Sequence, residues 1–121
     1  MMRILAADDS ASMREMVRMS LGSAGFDVTS AADGEEALRL AAATPFDLVV
    51  LDVNMPVRDG FDVIRALRAD AQYRHTPILM LTTESSPDRK REGKSAGATG
   101  WIVKPFDPAQ LIATVHRVLL R

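Results

Sequence analysis

Residues 48–52, Leu-Val-Val-Leu-Asp, decide how this chain folds: four apolar side chains in a row, stopped by a carboxylate. An unbroken apolar run of that length reads as a strand buried on both faces, the kind found in parallel sheets covered by helices. Two further runs stop in the same way. Ile4-Leu5-Ala6-Ala7 meets Asp8-Asp9, and Trp101-Ile102-Val103 meets Lys104. In an open parallel sheet, ligands bind in the crevice outside the carboxyl ends of the strands. Asp8, Asp9, Asp52 and Lys104 are therefore expected to share one pocket.

Outward from this centre, strand-like and helix-like segments alternate five times along the sequence. Arg3–Ala7 reads as the first strand. Ser12 to Leu21 carries Met13, Met16, Val17 and Leu21 at helical spacing, opened by a Ser12…Glu15 capping box and closed near Gly25. Phe26–Ser30 alternates like an edge strand, and Asp33-Gly34-Glu35-Glu36 starts a helix through Ala43. Beyond the third strand, Asp59–Ala69 is a helix with Phe61, Ile64 and Leu67 on one face, and Pro77–Leu81 is the fourth strand. Pro87–Ala96 is the fourth helix, Gly100–Val103 the fifth strand, and Asp107–Leu120 a last helix with Leu111, Ile112, Val115, Val118 and Leu119 inward. Asp33 and Asp59 read as helix caps. Met13, Met16 and Met19 read as core and flank, Met80 as a strand residue, and His75 and His116 lie far in sequence from the acidic residues. Each crossover is long enough to join parallel strands, so the pattern is a doubly wound α/β domain.

With 121 residues the chain has the modal size of one domain and buries roughly two-thirds of its unfolded surface. Fifteen basic against sixteen acidic residues leave a net charge of −1, which argues against a non-specific nucleic-acid or membrane surface. The absence of cysteine removes disulfides, thiolate metal sites and thiol catalysis. Met1-Met2-Arg3 is followed so soon by Asp8-Asp9 that no signal peptide fits, and the apolar runs are strand-length. A cytoplasmic monomer is expected.

Several phosphate chemistries are excluded. Glu92-Gly93-Lys94-Ser95 resembles the tail of a P-loop, but the first glycine of that motif falls on Asp88 and no strand precedes it. No G-x-G-x-x-G follows the first strand. Asp52-Val53-Asn54 lacks the second aspartate of a D-x-D phosphohydrolase pair, and Asp8-Asp9 stands where a flavodoxin offers hydroxyls and glycines. Three carboxylates crowded together repel one another unless a cation compensates. Mg²⁺ is the natural candidate, because it takes oxygen ligands from one or two carboxylates and from phosphate. Asp52 can then attack phosphorus in line, with Lys104 neutralising charge on the equatorial oxygens and Thr82 donating its hydroxyl to another.

Asp8-Asp9, Asp52-x-x-Met55-Pro56-x-x-Asp59-Gly60, Leu81-Thr82, and Gly97-Ala98-x-Gly100-Trp101-x-Val103-Lys104-Pro105-Phe106 together resemble the receiver domain of two-component response regulators, over the whole chain. The resemblance implies the (βα)5 fold of the flavodoxin and CheY-like proteins, a five-stranded parallel sheet in the order 2-1-3-4-5. It implies that Asp52 is the phosphoacceptor, labelled by a histidine kinase. Asp9, Asp52 and the Asn54 carbonyl then ligate Mg²⁺ directly, with Asp8 behind a water. Thr82 and Lys104 sense the phosphate, Thr82 and Trp101 form the switch, Asn54 and Glu84 tune dephosphorylation, and Lys104-Pro105 is a cis peptide.

No output domain is expected after the last helix, and the likeness is to stand-alone chemotaxis regulators of CheY type. The implied activity is a signalling module with self-catalysed phosphoryl acceptance and autodephosphorylation, not an enzyme turning over a substrate. It docks on a target such as the flagellar motor switch. The alternative is a phosphorelay shuttle or phosphate sink with no output target. Two features depart from the usual pattern. Trp101 replaces the customary Tyr or Phe, and a buried indole N–H needs a hydrogen-bond acceptor. From Pro87 to Ser95 there is no large apolar side chain, so the fourth helix is expected to pack weakly, on Ala96 and on the stems of Arg and Lys. Gly93 adds a helix-propensity cost of about 1 kcal/mol.

Overall fold

The computed structural model describes residues 1–120, and among these five strands alternate with five helices. They are β1 (Arg3–Ala7), α1 (Ala11–Ser23), β2 (Asp27–Ala31), α2 (Gly34–Ala43), β3 (Leu48–Leu51), α3 (Gly60–Ala69), β4 (Ile78–Thr82), α4 (Pro87–Ala96), β5 (Gly100–Val103) and α5 (Pro108–Leu119). A single 3-10 turn, Ala71–Tyr73, lies between α3 and β4. The strands form one parallel sheet in the order β2-β1-β3-β4-β5, as expected.

Alternation along the central strands divides the core into two layers. Leu5, Ala7, Val49, Leu51, Ile78 and Met80 pack with Ala37 and Ala41 of α2 and with Phe61, Ile64 and Leu67 of α3. Ile4, Ala6, Leu48, Val50, Leu79 and Leu81 face Val17 and Leu21 of α1 and Leu111, Val115 and Val118 of α5. The unbroken apolar run of β3 is thereby explained, since both its faces are covered.

The sequence reading needs correction at α1. Its N-cap is Ser10, whose hydroxyl accepts from the Met13 N–H at 3.3 Å, and Ser12 is not the cap, so the Ser12…Glu15 capping box does not form. Glu15 pairs instead with Arg18. Met13, Val17 and Leu21 line the inner stripe, but Met16 and Met19 are 47% and 61% exposed. Spacing accounts for this: residues 13, 17 and 21 share one side of the helix, whereas 16 and 19 lie about 100° and 200° of rotation away from 17. The edge strand β2 begins one residue later than Phe26, and β4 runs through Thr82 rather than ending at Leu81. Asp33, Asp59 and Asp107 cap α2, α3 and α5 through bonds from the amides of Glu36, Asp62 and Ala109.

Between β3 and α3 the chain turns sharply at Val57, which has φ of 70°, and the Arg58 N–H donates to the Pro56 carbonyl at 2.8 Å. A β-branched residue in that region carries strain of order 1–3 kcal/mol, and Val57 is 76% exposed, so its side chain gains no offsetting burial. Val57→Gly is expected to raise stability by about 1 kcal/mol net of the glycine entropy cost. A higher urea midpoint with unchanged slope is the expected reading; a lower midpoint would show that the turn is not strained.

Candidate functional site

Backbone bonds between neighbouring strands bring the key residues to one edge. The Asp8 N–H donates to Ala31 O at 3.0 Å, Asp52 N–H to Ala7 O at 3.1 Å, and Lys104 N–H to Thr82 O at 2.8 Å. Asp8, Asp52, Thr82 and Lys104 therefore end adjacent strands at the same level. Thr82 is fully buried, and Asp8 and Asp52 are nearly so.

The Lys104 ammonium bridges the two buried carboxylates, donating from Nζ to Asp8 Oδ2 at 2.6 Å and to Asp52 Oδ2 at 2.8 Å. The second oxygen of each carboxylate is also engaged. Asp8 Oδ1 accepts from the Ser10 N–H at 2.9 Å, and Asp52 Oδ1 accepts from the Asn54 N–H at 3.3 Å. Burial works to lower the Lys104 pKa but is outweighed by its bonds to Asp52 and Asp8, so the value lies above that of an ordinary lysine. Asp9 is exposed beside this pair, and one carboxylate oxygen from each of Asp8, Asp9 and Asp52 lies within 4.8 Å of the others. Arg14 of α1 donates to the Asp8 carbonyl at 2.8 Å, which ties the first turn of that helix to the site. The peptide between Lys104 and Pro105 is cis.

The donor set fits a small hard cation. Three carboxylates face one ammonium, so the cluster stays net negative with Lys104 in place, and every candidate ligand is an oxygen.

Around this centre, Thr82 Oγ1 accepts from the Glu84 N–H at 3.3 Å. The Glu84 carboxylate stands 3.9 Å from Arg89 Nε, on the first turn of α4. The Trp101 indole is half-buried and its Nε1–H donates to the Glu84 carbonyl at 2.9 Å, the acceptor that a buried indole requires. Its ring lies 6.3 Å from that of Phe61, over which Arg89 also stacks.

Residues 4–116 match the response regulator receiver domain. The chain belongs to that family. The receiver domain shares 39% identity with chemotaxis protein CheY of Pseudomonas aeruginosa over 121 residues, covering 99% of this chain and 98% of that protein. It shares 43% identity over 119 residues with the transcriptional regulatory protein PrrA of Mycobacterium leprae, covering 98% of this chain and 50% of PrrA; the chain thus spans about half the length of that relative. The solved structure of CheY4 of Vibrio cholerae superposes with a TM-score of 0.94 at 55% identity, over 98% of both chains.

The receiver contains positioning residues that sequence reasoning passed over. Gly60 opens α3 directly against the acid site: a Cβ there would lie 2.3 Å from the Asp52 carbonyl oxygen. Asp59-Gly60 was legible as a motif, but only the return of α3 onto β3 shows what the glycine does. Gly60→Ala is expected to displace the Asp52 backbone, costing about 1–3 kcal/mol by overpacking. Thermal melts together with the rate of phosphoryl labelling check this, and an unchanged melt would show that the helix can slide away freely. Arg68 of α3 is a second such residue. Its guanidinium donates to Gly97 O at 2.8 and 3.0 Å, to Tyr73 O and Thr76 O at 2.7 Å each, and to Arg74 O at 3.3 Å. Burial lowers its pKa, and it binds the end of α4 to the loop before β4. Nothing in the sequence around Arg68 signals that role.

Proposed function

We propose that this receiver is a phosphoacceptor in a chemotaxis pathway, labelled on Asp52 by a histidine kinase, which then docks on a target such as the flagellar motor switch. The observation that carries the proposal is the Lys104 ammonium held between Asp8 and Asp52 at the strand ends, with Asp9 alongside. The near-complete two-way coverage with a CheY supports the chemotaxis assignment.

In this reading an Asp52 carboxylate oxygen forms a bond to phosphorus as the N–P bond of the kinase phosphohistidine breaks, and the departing imidazole takes up a proton. Lys104 stays at the site, and its ammonium moves from carboxylate to phosphoryl oxygen as negative charge develops there. Thr82 turns its hydroxyl from the Glu84 amide to a phosphoryl oxygen. Asp9, Asp52 and the Asn54 carbonyl would hold Mg²⁺ directly, with Asp8 acting through a water. When bound, the metal supplies positive charge that offsets the crowded carboxylates and the phosphoryl group. Asn54 and Glu84 border the approach of the hydrolytic water and tune autodephosphorylation, and Trp101 with Thr82 relays the change to the α4 side.

The module acts as a signal carrier, not as an enzyme that turns over a substrate, and works as a cytoplasmic monomer. Among the described residues no helix is long and apolar enough to cross a membrane. The test is to label the protein with a small donor such as acetyl phosphate in Mg²⁺, then measure binding to a motor-switch peptide. Label that appears with Mg²⁺, vanishes with EDTA and strengthens peptide binding supports the proposal. Label without any gain in binding selects a phosphorelay shuttle or phosphate sink. Turnover of a small phosphoester would indicate a phosphohydrolase.

A further inference from the structure

Helix α4 is nearly devoid of apolar side chains, and its one buried residue is Gly93. The indole of Trp101 fills the space that this glycine leaves. A Cβ at position 93 would lie 2.6 Å from Trp101 Cζ3, 3.2 Å from Cε3 and 3.3 Å from Phe61 Cε1. None of those atoms is the end of a flexible chain, since both rings are packed in the layer between α3 and α4. The seated indole reaches the Glu84 carbonyl, Glu84 bonds the Thr82 hydroxyl through its amide, and the Thr82 carbonyl holds the Lys104 amide. A chain of contacts thus runs from the middle of α4 to the acid site.

We infer that Gly93 is a positioning residue: by admitting the Trp101 ring, it holds Glu84 and the loop that follows Thr82 of β4 in place and so sets the lifetime of the phosphoryl group on Asp52. The lifetime clause rests on the phosphoacceptor reading of the site; the seating of the ring does not. A side chain at 93 drives the indole outward, toward a cavity of about 300 Å³ lined by Lys90, Lys94, Ala98 and the indole itself. The Glu84 carbonyl then loses its partner, and the freed loop admits water to the aspartyl phosphate. Alanine favours helix over glycine, so a looser loop in Gly93→Ala cannot be ascribed to a weaker α4.

The test compares Gly93→Ala, Trp101→Phe and the double variant. Trp101 is the only tryptophan, so its emission reports the ring directly. Gly93→Ala is expected to shift emission to the red and increase iodide quenching. It is also expected to speed amide exchange of Glu84 and Ser85 severalfold and to shorten the half-life of the label. Trp101→Phe, which lacks the N–H, should speed the same amides and shorten the same half-life. The double variant, in which alanine and the smaller ring are compatible, should be no faster than either single one, because both act through one bond. Unchanged emission and exchange in Gly93→Ala, or additive effects in the double variant, would overturn the inference. Faster exchange with an unchanged half-life would overturn the lifetime clause alone. If no protein takes up label, the phosphoacceptor reading fails and the lifetime clause with it, while emission and exchange still decide whether Gly93 seats the ring.

Discussion

Asp52→Asn is expected to abolish phosphoryl labelling while leaving the fold intact. The substitution preserves shape, and an amide oxygen can still accept from Lys104 Nζ or from the Asn54 N–H, the two groups that hold the carboxylate now. It cannot supply an anionic oxygen to attack phosphorus, and the amide nitrogen is not a nucleophile. The loss should therefore be complete, within the sensitivity of radiolabelled acetyl phosphate in Mg²⁺. A melting temperature close to that of the unsubstituted protein would show that the site, not the fold, has failed. Equal labelling of the variant would place the acceptor elsewhere and would disprove the mechanism.

Lys104→Met is expected to cause the largest loss of stability. The ammonium lies between two carboxylates whose side chains are each less than a tenth exposed, so removing it leaves both anions without a cation partner. Breaking a buried pair in this way costs roughly 3–5 kcal/mol, and about 3 kcal/mol is expected here because the site opens to solvent on the Asp9 side. Mg²⁺ should offset much of the loss, by about 2.7 kcal/mol at a hundredfold excess over its dissociation constant, since it binds the folded cluster and not the unfolded chain. Urea titrations with and without the metal measure both effects. The pH dependence has a definite sign. Because the folded-state pKa of Lys104 is raised, its contribution is fully present below the unfolded lysine value of about 10.4 and is lost as pH rises through the folded value. The gap between the two proteins should thus narrow only in strong alkali. A loss under about 1 kcal/mol that ignores Mg²⁺ would mean the bridge is a solvent-screened surface pair.

The parts of the fold visible in the sequence were those written in local patterns. The β3 run 48–51, helix α4 from Pro87 to Ala96 and strand β5 from Gly100 to Val103 appear where periodicity, proline and glycine put them. The convergence of Asp8, Asp9, Asp52 and Lys104 was equally legible, because parallel strands must end on the same side. The start of α1 was not. Ser10 and Ser12 both carry a capping hydroxyl, and the choice fell to Ser10 because its own amide is bonded by Asp8 Oδ1 at the end of β1.

By itself, the sequence determined the alternation of elements, the doubly wound sheet and the identity of the charges at its edge. These follow from side-chain polarity and chain direction, which act within a few residues. Only the tertiary structure decided what Gly60, Gly93 and Arg68 do. Gly60 is small because α3 returns onto the Asp52 carbonyl, Gly93 because an indole from β5 occupies the space above it, and Arg68 is charged yet bonded only to carbonyls of a loop and of the α4 terminus. In each case the partner lies on another element, so the propensity scale reads Gly93 as a cost to its helix when its lack of a side chain is what lets that helix approach the sheet.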